Sequence, residues 1–493
     1  MKEHRLQGAA LFGVLLVSLL VRCYDLGGES LWLDEMFSLK LSRLSAGGIL
    51  DECARDVHPP LYFLMLKPWI ALFGASESAL RAPSVIFGVL SVFFLFLAGK
   101  RLFGAETGLL AALLLGLSVF NVHYSQEGRD YGLMAFLTAA SFHFLLLFLS
   151  RPRAAPLIAY GAAAALLPYT HFLGALVPFS QACFLVFRLR LNRNAGEKRP
   201  EIPLLAAIVT AALLFLPWAS VLKRQIASAS ADFWIPCPAP WRVGVTFIEF
   251  SGPLPLLPVF LGLAYTAVRR SRGAGATALL LCWLFVPLAA AYVISLVFVP
   301  VYANKALIGS SLAFTLLAAR GLSGVRAPRL KLAALLFLVI GSASGLYDYY
   351  HKVNKDPWRR AAADLKGRIT DNDAVLFYAG YLRESFEHYY GPIPGRVLQT
   401  PFAGGPLTRA QVLATLDSLP ASGRVWLVLS CTDGFETLIR GELSRARSPA
   451  EALRYTAWKF HLPAQRTCME IERWEMKPFV SRGFQPAADE KDE

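Results

Sequence analysis

Eleven apolar runs, near 7–22, 80–99, 106–122, 132–150, 154–170, 172–188, 202–221, 254–269, 276–298, 303–320 and 331–348, constrain this chain before any single residue is considered. A bilayer core of about 30 Å takes about 20 apolar residues of helix, so each run is a candidate span, several of them near the lower length limit. Backbone polar groups find no partner in hydrocarbon, which leaves the α-helix for runs of this kind. With 55% hydrophobic and only 17% charged residues, the sequence reads as a polytopic α-helical membrane protein with about 11 transmembrane helices. The region 154–188 also admits a reading as one helix plus a re-entrant piece.

The net charge of +14 does not point to nucleic acid. The basic residues fall in every second short loop: Lys100-Arg101, Arg151 and Arg153, the Arg188 to Arg199 cluster, Arg269-Arg270 and Arg272, and Arg320 to Lys331. With Lys2 and Arg5 they mark those loops as cytoplasmic. Loops 23–79, 123–131, the turn at Thr170-His171, 222–253 and 299–305 are then outside, and an odd number of helices sends the C-terminal part outside too. The expected location is the cytoplasmic (inner) membrane of a bacterium, multi-pass. Arg22-Cys23-Tyr24 interrupts what would be a signal-peptide cleavage site, so the first helix reads as uncleaved. The seven cysteines show no metal-ligand spacing.

Composition changes after Tyr350. Residues 1–350 read as the membrane domain, 351–485 as a small extracytoplasmic α/β domain, and 486–493 as a disordered tail. Asp356 to about Ile369 and 407–418 read as helices, 374–378 and 424–429 as buried strands. Cys431 and Cys468 lie where a disulfide is permitted.

The unusual chemistry sits in the outer loops. Ser30-Leu31-Trp32-Leu33-Asp34-Glu35-Met36 places two adjacent carboxylates among apolar residues close to a bilayer surface. A charge there is costly unless partnered or used. One reading is a helix cap; the other is a catalytic base. The second outer loop, His123 to Tyr131, holds Glu127, Arg129 and Asp130, which either pair with one another or face the first-loop acids. His58, Lys67, Arg81, Lys305 and His171 add cations or imidazoles on the same side. Arg81 there runs against the charge rule, which favours a specific partner. Carboxylates with several cations at one membrane face suit an anionic, lipid-linked substrate. Sugar transfer from a polyprenyl phosphate needs a base for the acceptor and positive charge for the departing phosphate, but no general acid. A glycoside hydrolase would need the acid as well.

The runs Asp56-Val57-His58-Pro59-Pro60-Leu61-Tyr62-Phe63, Ser78-Ala79-Leu80-Arg81-Ala82-Pro83-Ser84 and Tyr124-Ser125-Gln126-Glu127-Gly128-Arg129-Asp130-Tyr131 resemble those of the dolichyl-phosphate-mannose protein mannosyltransferase-like glycosyltransferases, family 39, which include the lipid A aminoarabinose transferases. The resemblance covers residues 1 to about 350, and Asp356-Pro357-Trp358-Arg359 resembles the tail of bacterial members. It implies the GT-C fold and an inverting transfer from an undecaprenyl- or other polyprenyl-phosphate sugar donor to a lipid, glycan or protein acceptor. Asp34 maps to the catalytic aspartate, with Glu35 and Glu127 as its acidic partners. His58, Lys67, Arg81, Arg129 and Lys305 are the candidates for the donor phosphate, and Tyr62, Tyr131 and Tyr302 for other substrate contacts. Glu127 and His171 are the candidates for a divalent metal ion, which the spacing does not establish. Two departures stand out: Asn304-Lys305 replaces an Arg-Tyr pair of many members, and His58 replaces a lysine of some. The competing class is a transporter or lipid flippase, whose charges belong mid-helix at broken helices in two related halves; no such halves are visible here.

Overall fold

The computed structural model describes residues 2–191, 199–229, 235–270, 274–352, 354–378, 380–401, 408–430, 435–457 and 466–476. The chain divides into two compact units, residues 1–355 and 356–493.

The regular elements of unit 1 among the described residues are all helices. The unit runs α1 (Lys2–Cys23), α2 (Leu33–Arg43), α3 (Ala46–Arg55), α4 (Leu61–Phe73), α5 (Glu77–Phe103), α6 (Ala105–Gly116), α7 (Val119–Ser125), α8 (Tyr131–Ser150), α9 (Ala154–Thr170) and α10 (Leu176–Leu191). It continues with α11 (Glu201–Ala229), α12 (Arg242–Ser251), α13 (Leu257–Arg269), α14 (Ala274–Val297), α15 (Ile308–Ser323) and α16 (Pro328–Tyr350). Every apolar run is helical, the run 106–122 being divided between α6 and α7. Among the described residues eight helices are long and apolar enough to cross a membrane, and two bent pairs bring the count to ten. The eleventh run is α9, apolar but only 17 residues long. A short 3₁₀ turn, Phe172–Ala175, links α9 to α10.

The bends have local causes. In the run 106–122 the chain turns by 61° between α6 and α7, where the Ser118 side chain caps α7 by accepting from the Asn121 amide. The carbonyls that this break exposes are taken by a buried cation. Arg22, at the end of α1, donates to Gly116 O at 2.9 Å, Leu115 O at 3.4 Å and Ser125 Oγ at 3.1 Å. A fully buried guanidinium is tolerated because its donors meet acceptors that hydrocarbon could not satisfy. The 94° turn between α12 and α13 sits at Gly252-Pro253, with Gly252 at φ +87°.

Loop 23–79, whose amphipathic pattern predicts short helices, holds the stack α2, α3 and α4. α4 packs on α2 and α5, and α5 on α8. The close approach of α8 to α5 requires Gly132, since a Cβ there would lie 2.7 Å from Ser84 O. α15 packs against α6, α8, α13 and α14 and is the most enclosed span.

Unit 2 contains α17 (Trp358–Leu365), β1 (Ala374–Phe377), α18 (Leu382–Tyr390), β2 (Arg396–Gln399), α19 (Arg409–Asp417), β3 (Val425–Ser430), α20 (Glu436–Ala446), β4 (Arg447–Ala457) and β5 (Arg466–Met476). The sheet order is β2-β1-β3-β5-β4. β1 pairs parallel with β2 and β3, and β5 antiparallel with β3 and β4. Both faces are covered: Val375, Phe377, Trp426 and Val428 pack with Trp358 and Phe386, while Leu376, Leu427 and Leu429 pack with Val412 and Ile439. That two-sided burial explains the unbroken apolar runs of β1 and β3. The Cys431 and Cys468 pair, where a disulfide is permitted, falls outside the described residues, which exclude Cys431 and the Cys468 side chain, and so does the expected tail 486–493.

Candidate active site

The acidic pair occupies the first turn of α2, where carboxylates favour the helix dipole. Neighbours on a helix point about 100° apart, and here they part company. Glu35 turns inward and is fully buried. Its Oε1 accepts from Arg81 Nε at 2.8 Å, the Gly128 amide at 2.9 Å and Lys355 Nζ at 3.0 Å, and its Oε2 from Arg81 Nη2 at 2.8 Å. Burial would raise the Glu35 carboxyl, but Arg81 and Lys355 outweigh it and hold the group at about 2.

Arg81 is wholly engaged. Besides Glu35 it donates from Nη1 to Leu26 O and Glu29 O, at 2.8 and 3.0 Å, and from Nη2 to Ser30 O at 3.0 Å. All five guanidinium donors are thereby satisfied within the protein. The geometry gives Arg81 an organising role for residues 26–35 in place of the phosphate contact expected from the sequence. Lys67 differs from expectation in the same way: its ammonium donates to Leu44 O at 2.6 Å, the C-cap carbonyl of α2.

Asp34 remains half-buried, its side chain 26% exposed, with Oδ2 3.4 Å from Lys305 Nζ. Lys305 itself lies over the rings of Tyr131 and Trp32, at 5.4 and 5.6 Å. Arg129, buried, donates from Nη1 to the Asp34 carbonyl at 3.2 Å and from Nη2 to His58 Nε2, and its guanidinium faces the Phe63 ring at 5.8 Å. Arginine can only donate, so His58 Nε2 accepts; its proton is on Nδ1 and is donated to Asp56 Oδ2 at 3.1 Å. Burial would raise the Asp34 carboxyl, yet Lys305, then Arg129, hold it below its ordinary value. Asp34 is thus an ionised carboxylate at neutral pH with two cations beside it.

Glu127 is buried, with Oε1 3.2 Å from His123 Nε2 and no hydrogen-bond partner for Oε2 among the described residues. His171 is differently placed: its Nδ1 accepts from the Leu173 amide at 3.1 Å, its ring tilts against Tyr131, and burial pushes it down to about 4. The imidazole against Glu127 is His123, which the sequence reading passed over. Among the described residues no three His, Cys, Asp or Glu side chains come together in a metal-holding group, and Asp34 already has Lys305 against it. These residues do not fit a resident divalent ion.

The three tyrosines divide. Tyr131 forms a wall beside Lys305. Tyr62 is buried and hydrogen-bonds Ser84 Oγ at 3.1 Å, which donates to Arg129 O at 2.9 Å, so Tyr62 supports the second loop from behind. Tyr302 pairs with Thr246 Oγ1 at 2.8 Å, and Thr246 donates to Asn304 Oδ1 at 2.9 Å, next to Lys305. Besides His123, two more residues at the site are not marked by the sequence. Gln126 Nε2 ties the second loop to Arg22 O and Tyr24 O, at 2.9 and 2.8 Å. Lys355, just before the Asp356-Pro357-Trp358 motif, falls in the stretch 351–485 read as the α/β domain and yet belongs to unit 1 and reaches Glu35.

The arrangement of helices is that of the GT-C glycosyltransferases. The match extends over most of the chain for ArnT from Cupriavidus metallidurans bound to undecaprenyl phosphate: TM-score 0.60, 14% identity, covering 93% of this chain and 97% of that one. The Archaeoglobus fulgidus oligosaccharyltransferase AglB, in complex with an inhibitory peptide and a dolichol-phosphate, matches with TM-score 0.55 and 13% identity over 86% of this chain and 69% of its own. Residues 57–221 match the model of the dolichyl-phosphate-mannose-protein mannosyltransferase family. The resemblance drawn from the loop motifs is thus borne out by the partial family match and the shared GT-C fold, and the apolar helices among the described residues mark a multi-pass membrane protein. A comparison of the sequence with curated proteins found no match.

Proposed function

We propose that this protein is an inverting glycosyltransferase that moves a sugar from a polyprenyl phosphate to a lipid, glycan or protein acceptor on the outer face of the cytoplasmic membrane. The observation that carries the reading is the split of the acidic pair. Glu35 is withdrawn into a saturated ion cluster, while Asp34 stays half-open, ionised and flanked by Lys305 and Arg129. Asp34 takes the proton of the acceptor hydroxyl or amine as that atom bonds to the anomeric carbon. The bond from that carbon to the phosphate oxygen breaks, and the electron pair leaves with the lipid phosphate. Lys305 and Arg129 supply the positive charge this departure needs. His58 supports Arg129 in that role, and Glu127, with one carboxylate oxygen unpartnered, orients the acceptor. Incubation of the purified protein with a panel of polyprenyl-phosphate sugars tests the reading: release of the lipid phosphate from at least one is expected, and release from none rejects it.

Lys305→Met removes one of the two cations without shortening the side chain much. A charged hydrogen bond is worth about 1.5–3 kcal/mol, so undecaprenyl phosphate should bind about 10- to 100-fold more weakly. Titration of the purified variant checks this; unchanged binding would remove Lys305 from the phosphate site.

The alternation of basic loops supports an outer active site and an outer unit 2. Reporter fusions after Arg199 and after Tyr350 should report opposite sides of the membrane. The same side for both overturns this topology.

A further inference from the structure

We propose that Lys355 is a positioning residue of this site: it clamps the loop that carries Asp34 to the loop that carries Glu127. Its consequence for rate rests on the transferase reading, whereas the clamp rests on geometry alone. Lys355 is the last residue of unit 1. Its ammonium is buried and donates to Glu35 Oε1 at 3.0 Å and to Gln126 O at 3.1 Å. A buried ammonium is costly unless it is paired and hydrogen-bonded, so this placement is held only while both acceptors stay where they are.

The backbone of the same stretch is fixed as well. Glu29 accepts from the amides of Asn354 and Lys355, the latter at 3.4 Å, and Asn354 Nδ2 donates to Tyr349 O at 2.8 Å at the end of α16. Two carboxylates of the first loop thus hold one dipeptide, Glu29 by its main chain and Glu35 by its side chain. Glu35 Oε1 gathers Arg81, Gly128 and Lys355, joining α5, the second loop and the segment after α16. Asp34 directly precedes Glu35, and Glu127 stands between Gln126 and Gly128. Lys355 therefore acts on both Asp34 and Glu127 through residues adjacent to them.

The test compares the wild type, Lys355→Met and Lys355→Arg as full-length protein in nanodiscs. Amide exchange and turnover are measured with whichever polyprenyl-phosphate sugar the wild type consumes. In Lys355→Met the Gly128 amide should exchange about 10-fold faster or more, as expected when a charged hydrogen-bond network opens. Turnover should fall about 100-fold, the order expected from an ångström-scale displacement of reacting groups. The donor KM should hold, because the phosphate cations are untouched. Lys355→Arg keeps the charge and should recover much of both signals. Exchange in β1 and β3 should be unchanged throughout. Unaltered exchange at Gly128 in Lys355→Met overturns the clamp. A loss confined to donor KM overturns the positioning role, because Lys355 would then be a donor ligand. If Lys355→Met does not reach the membrane, Glu29→Leu releases the same dipeptide from its backbone side, and unaltered Gly128 exchange there is equally fatal. A wild type that consumes no donor rejects the transferase reading and the rate consequence, while the exchange data still decide the clamp.

Discussion

Asp34→Asn is expected to lower transfer by about 10²- to 10⁴-fold, the usual worth of general base catalysis, at unchanged membrane abundance. The substitution keeps the side chain's size and removes its charge. Little structure depends on that charge. The Asp34 contacts that hold α2 run through its carbonyl, to Arg129 Nη1 at 3.2 Å and Ser38 Oγ at 3.1 Å, and both survive in the variant. Binding of undecaprenyl phosphate should persist or tighten, because a negative charge beside Lys305 is gone. A pH prediction follows from the same contacts. Lys305 and Arg129 hold the Asp34 carboxyl below its ordinary value against burial. The base form therefore survives mild acid, and the acid limb of kcat/KM due to Asp34 should lie below the ordinary carboxylate range. Lys305→Met should move that limb upward. Normal turnover in Asp34→Asn would show that the base is elsewhere.

The spans, the stacked first-loop helices and the parallel strands were legible because each depends on local pattern: run length, amphipathic spacing, continuous apolar strands. The bends were partly legible. Gly252-Pro253 announces one, and the run at 254 begins after it, but Ser118 lies inside an apolar run and its capping role needs the fold to be seen. The site was legible as a set of residues and much less as a set of roles. Adjacent carboxylates look alike in sequence; which one turns inward is decided by Arg81, 46 positions away, and by Lys355, 320 positions away. The position of Arg81 against the charge rule favours a specific partner, and the contacts it makes are to Glu35 and three loop carbonyls. Periodicity carries no information on pairings of that range. His123 was missed because its partner, Glu127, is one helical turn away across the end of α7, a spacing that many uninvolved histidines share.

Arg81→Met should damage the fold more than any other change in the site. Removing one member of a buried pair leaves an uncompensated charge and costs about 3–5 kcal/mol. Here Met would also orphan the carbonyls of Leu26, Glu29 and Ser30. Glu35→Gln attacks the same cluster from the other side. Its amide nitrogen would face guanidinium or ammonium donors, so one of the contacts to Arg81 or Lys355 becomes donor against donor. Relative to Asp34→Asn, Glu35→Gln should lose abundance and thermal stability first, with turnover per folded molecule less affected. Acid dependence separates the ionic contribution from simple packing. The folded Glu35 carboxyl sits at about 2 against an ordinary 4.5. A depressed carboxyl stabilises the fold fully above its unfolded value, and that stabilisation is lost as pH falls through the folded one. The gap in unfolding temperature between wild type and Glu35→Gln should therefore be constant at neutral pH and shrink from about 4.5 toward about 2. Thermal unfolding in detergent across that range measures it, with undecaprenyl phosphate binding followed on the same samples. An Arg81→Met protein that unfolds at the wild-type temperature but no longer binds undecaprenyl phosphate would make Arg81 a ligand of the donor and not the keystone of the loop.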